Sequence, residues 1–306
     1  MLRQVIKRKF DKVVYSSPLL NRILRNLNKI FGTLTTFRLR PYGVLMVHYG
    51  KIKFKMATNE TSVVTKLLFW RGPENFEYTP IFNVLVRQCK SFIDIGANTG
   101  YYSMLAANAN PSIVVHAFEP ASGPFYFLEK NVTINHLKDR VFIYPIALSN
   151  QKGEVEFFEI LNPSDTFAKY NLSGVGGLKK THATQENSVR RAIRAETLDD
   201  LDKLKMFAPD LIKIDTEGTE NLVLEGSGIT IDTYKPIIIC ETLFNKIEDR
   251  LEEIMKRHGY LFFNHVNGKL HQTNTLLRSV DNGVSDCFFV HPEKINLIQA
   301  FLEDQN

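Results

Sequence analysis

Between residues 92 and 241, short apolar runs alternate with segments of helical length, and this alternation limits the fold more than any other feature of the chain. Strand-like runs fall at 92–96 (FIDIG), 113–118 (IVVHAF), 141–148 (VFIYPIAL), 154–158 (EVEFF), 211–215 (LIKID) and 237–241 (IIICE). Helix-like segments fall at about 100–109, 123–136, 219–226 and 246–258. Strands that are apolar at nearly every position leave no face for water. The pattern therefore predicts an α/β fold, a mostly parallel doubly wound sheet with helices on both faces. Two further runs, 260–264 and 286–290, flank a polar stretch holding Asn267-Gly268 and Asn282-Gly283. They predict a helix and then a terminal hairpin that finishes the sheet with an antiparallel C-terminal edge.

Upstream, the alternating runs from Val44 to Lys55 around Tyr49-Gly50 predict a hairpin. A helical stretch carrying Trp70 follows, ending near the Arg71–Pro73 break, and an amphipathic helix beyond Pro80 leads into the sheet. The charge is uneven. The whole chain carries +5, yet residues 1–40 hold ten basic side chains against one acid, Asp11, which leaves the remaining 266 residues at −4. The basic excess thus belongs to an arm, and the main domain gives no reason to expect nucleic acid as a partner. In that arm Leu20, Ile23, Leu24, Leu27 and Phe31 recur at helical spacing with Arg22, Arg25 and Lys29 between them. A basic amphipathic helix suits peripheral membrane contact through residues 1–31, or an acidic partner, or packing on its own domain with a solvated basic face.

With 44% hydrophobic and 23% charged residues, the composition excludes a disordered or collagenous chain. Cys89, Cys240 and Cys287 lie far apart with no C-x-x-C pair, which argues against disulfides and thiolate zinc sites. No window reaches the 18 or so apolar residues of a membrane span, and the N-terminus lacks a signal-peptide pattern. A cytoplasmic setting is the expectation.

Asp94-Ile-Gly96-Ala-Asn98-Thr-Gly100 closes the first strand of the alternation and opens a helix, where open α/β sheets bind ligands. The spacing is G-x-N-x-G with an acid two residues ahead, not the G-x-G-x-x-G of dinucleotide sites. A carboxylate there suits a sulfonium and an α-ammonium better than a pyrophosphate, so charge favours S-adenosylmethionine over NAD. The second strand ends in Phe118-Glu119-Pro120, where a carboxylate can accept both ribose hydroxyls.

Taken together, SFIDIGANTGYYS, HAFEP, IALSNQKGEVEFF, LDDL, IKIDTEGTE and IIICE, in this order, resemble the FkbM-type family of S-adenosylmethionine-dependent methyltransferases over roughly residues 65–292. The resemblance implies a Rossmann-like class I methyltransferase sheet. It places Asp94, Gly96, Asn98, Gly100 and Glu119 on cofactor positions, and Ala147 to Ser149 at the adenine edge. The expected organisation is then a basic arm (1–40), a hairpin and helices packing on the core (41–90), and a methyltransferase domain (91–306).

Methyl transfer to oxygen requires a held acceptor and a group that takes its proton. Lys213-Ile-Asp215-Thr-Glu217-Gly218 presents two carboxylates at a strand end, and Glu241 ends the neighbouring strand. Asp215 or Glu217 is the expected base or orienting group, with Glu241 in support; alternatively these acids cap the next helix and bind Lys213. Crowded acids predict at least one raised pKa. Their oxygens also suit magnesium, though the spacing demands no metal. His116 reads as a core residue, while His182, with Lys179, Lys180 and Thr181, falls in a long insert at 160–195 whose glycine-rich start suggests a flap. Tyr101 and Tyr102 suit either the cofactor pocket or the core, and Trp70, with Glu74 and Glu77 nearby, either the acceptor site or a packing anchor.

The reading that follows from the resemblance is O-methylation of a hydroxyl on a small-molecule or glycan acceptor, a sugar or a polyketide-type metabolite. Two others remain beside it: N-methylation of an amino sugar or protein side chain, and a non-catalytic membrane-associated scaffold.

Overall fold

In a computed structural model, residues 10–31, 38–160, 170–174, 176–178, 188–201 and 207–303 are described. The arm helix α1 (Pro18–Phe31) leads to a hairpin of β1 (Gly43–Tyr49) and β2 (Ile52–Thr58), then to α2 (Val63–Arg71) and α3 (Thr79–Val86). The alternating region follows: β3 (Ser91–Ile95), α4 (Tyr101–Ala109), β4 (Val114–Phe118), α5 (Ser122–Ile134) and β5 (Val141–Tyr144). After β6 (Ala147–Leu148), β7 (Gly153–Ile160), β8 (Ser188–Glu196) and α6 (Leu198–Leu201), the chain returns as β9 (Leu211–Ile214). It finishes with α7 (Glu220–Glu225), α8 (Gly228–Tyr234), β10 (Ile237–Glu241), α9 (Glu248–Arg257), β11 (Leu261–Val266), β12 (Lys269–Thr273) and β13 (Asp286–Val290).

The eight-stranded sheet has the order β12-β11-β13-β10-β9-β3-β4-β5. From β10 to β5 all neighbours are parallel, whereas β13 runs antiparallel between β10 and β11, and β12 is the antiparallel edge. The final run is therefore inserted into the sheet and is not half of a terminal hairpin; the hairpin is β11–β12, turned at Asn267 and Gly268, both left-handed.

Continuously apolar strands fill two cores at once. Phe92, Val115, Leu211, Ile237 and Phe288 face one side with α3, α4, α5 and the β1–β2 hairpin, while Ile93, Phe118, Ile212, Ile238 and Phe289 face the other with α7, α8 and α9. The last of these shows why a highly charged segment still docks: Leu251, Ile254 and Met255 form one buried stripe, with Glu248 and Asp249 in the first turn and Lys256 and Arg257 in the last. The hairpin is tied to α5 by Asn131 and Asn135, whose side-chain carbonyls accept from Ala57 N at 2.6 Å and Lys55 N at 2.8 Å.

Two of the expected strands do not lie wholly in the main sheet. The run 141–148 is broken at Pro145, which has no N–H for a ladder, so only its first half extends the sheet edge. The run 154–158 joins β6 and β8 in a separate three-stranded sheet, because its alternating glutamates suit a half-solvated ribbon: Glu154 faces Arg194, and Glu156 pairs with Arg190 at 2.8 Å. The three cysteines are free thiols, and among the described residues no helix is long and apolar enough to cross a membrane.

Candidate active site

Beyond Ile95 the backbone turns through three left-handed residues, Gly96 (φ 70°), Asn98 (φ 51°) and Gly100 (φ 83°). Gly96 has no alternative: a Cβ there would stand 1.8 Å from the carbonyl oxygen of Asp215. Asn98 is the one side chain in the series, a residue type that tolerates this conformation, and its Oδ1 accepts from Thr99 N at 2.7 Å. The turn is pinned to the end of β4, where Phe118 O accepts from both Gly96 N and Ala97 N at 3.0 Å. Glu119 closes the arrangement. Its two carboxylate oxygens accept from Asn98 N and Ala121 N, each at 2.8 Å, and burial pushes its pKa up to about 7.

A cavity of about 830 Å³, counting its open mouth, lies against this turn at the carboxyl ends of β3, β4 and β9. That is the switch point of the sheet, where the chain order reverses on either side of β3. Gly96, Asn98, Glu119 and Ala147 line the cavity, as do Asp215 and Glu217. Asp94, Gly100, Ser149 and Glu241 are not among its lining residues. Asp94 is held inside the sheet instead of facing the ligand space: a carboxylate in mid-strand must be paired where it is, and Ser103 Oγ donates to it at 2.6 Å while Lys213 Nζ stands 3.7 Å away. Gly100 abuts Leu128, where a Cβ would come within 2.4 Å of Cδ1. Ser149 is fixed by its backbone, its N–H donating to Glu196 O at 2.9 Å.

The acidic rim is built by the loop after β9. Glu220 is fully buried, and its carboxylate accepts from Thr216 N at 2.8 Å and Gly218 N at 3.1 Å. It thereby folds the loop that leads into α7. Neither Asp215 nor Glu217 caps α7, and its N-cap residue Thr219 makes no side-chain capping bond. Asp215 takes the other half of that alternative, accepting from Lys213 Nζ at 3.1 Å. Glu217 is left at the cavity wall in a left-handed conformation (φ 60°), its pKa pushed up to about 7 by burial, with Asp215 and Glu220 adding to the effect.

Two further acids, neither lining the cavity, stand within electrostatic reach of Asp215: Asp286, not among the sequence-based candidates, and Glu77, set there only beside Trp70. Asp286, at the start of β13, pairs in register with Glu241, and burial raises it to about 6. Glu77 accepts from Tyr102 Oη at 2.9 Å and is raised to about 8 by burial, Asp286 and Asp215. Glu241 is raised by burial and by Asp215, Glu217, Glu220 and Asp286, and its Oε2 is buried without a partner. In the sequence, Asp286 is marked as the acid opening a C-terminal apolar run, and Glu77 only as a neighbour of Trp70.

The glycine-rich segment reaches the same place. Ser173, Gly174, Gly176 and Gly177 line the cavity, and a Cβ on Gly174 would lie 3.1 Å from Asn98 Nδ2 and 3.6 Å from Glu217 Oε1. His182, Lys179, Lys180 and Thr181 lie outside the described residues. His116 is buried in an aromatic cluster with Phe142, Tyr144 and Phe207, and burial lowers it to about 4. Tyr101 and Tyr102 pack in the core with Phe76 and Phe82. Trp70 donates to Leu39 O at 3.0 Å, anchoring the segment after the arm.

The sheet order, the switch-point cavity and the antiparallel strand inserted before β11 define a Rossmann-like class I methyltransferase fold. Residues 94–262, more than half of the chain, match the family described as the methyltransferase FkbM domain. The chain belongs to this family, and S-adenosylmethionine is its methyl donor. It is similar to the 31-O-demethyl-FK506 methyltransferase FkbM of Streptomyces tacrolimicus, with 26% identity over 182 residues, 51% of this chain and 69% of that protein. It is also similar to the methyltransferase sdnD of Sordaria araneosa, with 25% identity over 185 residues, 52% of this chain and 71% of that protein. A crystal structure of methyltransferase FkbM from Methylobacillus flagellatus KT aligns with 74% of this chain at 17% identity and a TM-score of 0.43. The chain spans about half, 52%, of that structure's length.

The residues fit an adenosyl donor. The Glu119 oxygens keep lone pairs beyond the two backbone bonds, and Gly96 lets the turn and the loop after β9 approach closely at the cavity wall.

Proposed function

We propose that this chain is an O-methyltransferase acting on a hydroxyl of a sugar, free or in a glycan, or of a polyketide-type metabolite. The observation that carries the reading is Glu217, a carboxyl raised to about 7 at the cavity wall, close to the glycine-rich segment. A base poised near neutrality takes a hydroxyl proton most effectively. The relative from Streptomyces tacrolimicus, named for methylation of an O-demethyl compound, supports oxygen as the acceptor atom.

In this reading Gly96, Asn98, Glu119 and Ala147 hold the donor directly. Asp94, Gly100 and Ser149 act from behind, by fixing the turn and the wall. S-adenosylmethionine, when bound, supplies an electrophilic methyl on a sulfonium. Glu217 receives the hydroxyl proton as the oxygen becomes an ether, and Asp215, held by Lys213, orients the acceptor. Glu241, kept protonated by burial and its acidic neighbours, supports them without adding a charge. The acids at Glu77, Glu241 and Asp286 favour a second reading, in which an acceptor amine replaces the hydroxyl.

Transfer of labelled methyl to paired panels of hydroxylated acceptors and amino sugars separates the two. The hydroxyl reading expects label in the first panel. It further expects Asp215→Asn and Glu217→Gln to depress turnover by about 10²–10⁴-fold with S-adenosylhomocysteine affinity retained. Unchanged turnover in both variants refutes the assignment of these acids, and label confined to amines refutes the acceptor class.

A further inference from the structure

The arm helix is packed the wrong way round for an ordinary surface helix. An amphipathic helix in a globular protein turns its apolar stripe to the core. In α1 the buried side chains are Asn21 and Arg25, at 0% and 3% exposure, while Leu19, Ile23, Leu27 and Ile30 stand 67%, 49%, 46% and 69% exposed. These four are spaced i, i+4, i+8 and i+11, so they form one line along the helix.

The inversion is held by specific bonds. Asn21 Oδ1 accepts from Tyr42 N at 3.0 Å and its Nδ2 donates to Arg40 O at 3.1 Å. Arg25 donates to Tyr42 O at 3.2 Å and Val44 O at 3.3 Å, and its guanidinium lies 5.5 Å from the centre of the Phe69 ring. Lys29 Nζ donates to Phe69 O at 2.8 Å. These bonds on the polar face hold the helix against rolling its apolar side inward.

A cationic groove accompanies the stripe. Between α1 and β1 lies an open space of about 1,260 Å³ whose walls carry Arg22, Arg25, Lys29, His48 and Lys55 against one acid, Glu74. Arg25 has no carboxylate within ion-pair distance among the described residues, and its buried Nε has no hydrogen-bond partner. Buried cations are ordinarily paired, so the groove has the character of an anion site. A second copy of this chain is a poor occupant, because it would bring two arms of +9 together.

We propose that α1 docks this chain on an anionic phospholipid surface. Leu19, Ile23, Leu27 and Ile30 enter the boundary between headgroups and acyl chains, and the cations of the groove meet lipid phosphates. The docking does not depend on which acceptor the methyltransferase uses.

Flotation of the full chain with vesicles tests this, using phosphatidylcholine alone and phosphatidylcholine mixed with phosphatidylserine. The expected result is binding to the mixed vesicles that weakens with added salt and is at least tenfold weaker on phosphatidylcholine alone. Ile23→Asp with Leu27→Asp should reduce binding by tenfold or more, and Arg22→Glu by about fivefold or more, since each near-surface cation contributes roughly that factor. All three positions are exposed, and S-adenosylhomocysteine affinity, unchanged, certifies the fold of each variant. Absence of vesicle binding at low salt, equal binding to both vesicles, or unchanged binding by the double variant overturns the proposal. So does a wild-type dimer in sedimentation velocity that the double variant dissolves without any lipid binding, since the stripe then serves a second copy.

Discussion

Asp94 and Lys213 are cross-strand partners at the centre of the sheet, with the ammonium 3.7 Å from Asp94 Oδ1. Their side chains are 1% and 6% exposed. The same ammonium donates to Asp215 Oδ2 and to Gly96 O, so one buried cation ties the first strand, the glycine turn and the acidic rim. Burial alone would strip its proton, but the flanking carboxylates outweigh burial and hold Lys213 well above the ordinary range of a lysine.

Removing that cation should be severe. Lys213→Met leaves Asp94 buried without its counter-ion, and breaking such a pair from one side costs about 3–5 kcal/mol. Urea unfolding of the two proteins measures this directly. A difference below about 1 kcal/mol would mean that Asp94 is carried neutral, with Ser103 as a sufficient partner.

Gly96→Ala should fail for a geometric reason. The left-handed backbone by itself costs about 1–3 kcal/mol for a side-chain-bearing residue, and the added carbon meets a main-chain oxygen, not a flexible side chain. The expected outcome is a lowered melting temperature together with lost binding of S-adenosylhomocysteine. Wild-type stability and affinity would show that the turn and the loop after β9 can separate without penalty.

Glu217 predicts the pH profile. A base must be ionised, so kcat/KM should rise with pH through about 7 and fall on the acid side, and Glu217→Gln should be low and flat over that limb. For folding the sign is reversed. Glu119 and Glu217 keep their protons to about 7 in the fold against an ordinary 4.5, so they favour the folded state fully below about pH 4.5. That contribution fades as the pH climbs towards 7. A limb that persists unchanged in Glu217→Gln would move the titration to another rim acid.

Much of this was readable in the chain because parallel strands announce themselves: FIDIG, IVVHAF, LIKID and IIICE are apolar on both faces and do form β3, β4, β9 and β10. The glycine turn and Glu119 were readable for the same reason, since strand ends locate them. What was not readable depends on register and on packing across the fold. Pro145 marks the break in the third run, but only pairing sends EVEFF into a second sheet with β8. Spacing placed Asp94 at the ligand, whereas its pairing with Lys213 comes from the alignment of β3 with β9. Glu77 comes from far upstream and is brought within reach of Asp215 through the stacking of Tyr78 on Tyr102 and its own bond to the Tyr102 hydroxyl. The helical period of the arm was visible, but periodicity does not say which face turns inward, and Asn21 and Arg25 decide that through carbonyls and an amide beyond the helix.

In the proposed function the turn from Gly96 to Gly100, closed by Glu119, holds the methyl donor. Calorimetric titration of S-adenosylhomocysteine into wild type and Glu119→Gln tests it most directly, with unliganded melting temperatures as the control for folding. A charge-assisted hydrogen bond is worth about 1.5–3 kcal/mol, so the account predicts submillimolar binding by wild type and an affinity lower by roughly 10–150-fold in the variant. Equal affinities, on two proteins of equal stability, would contradict it.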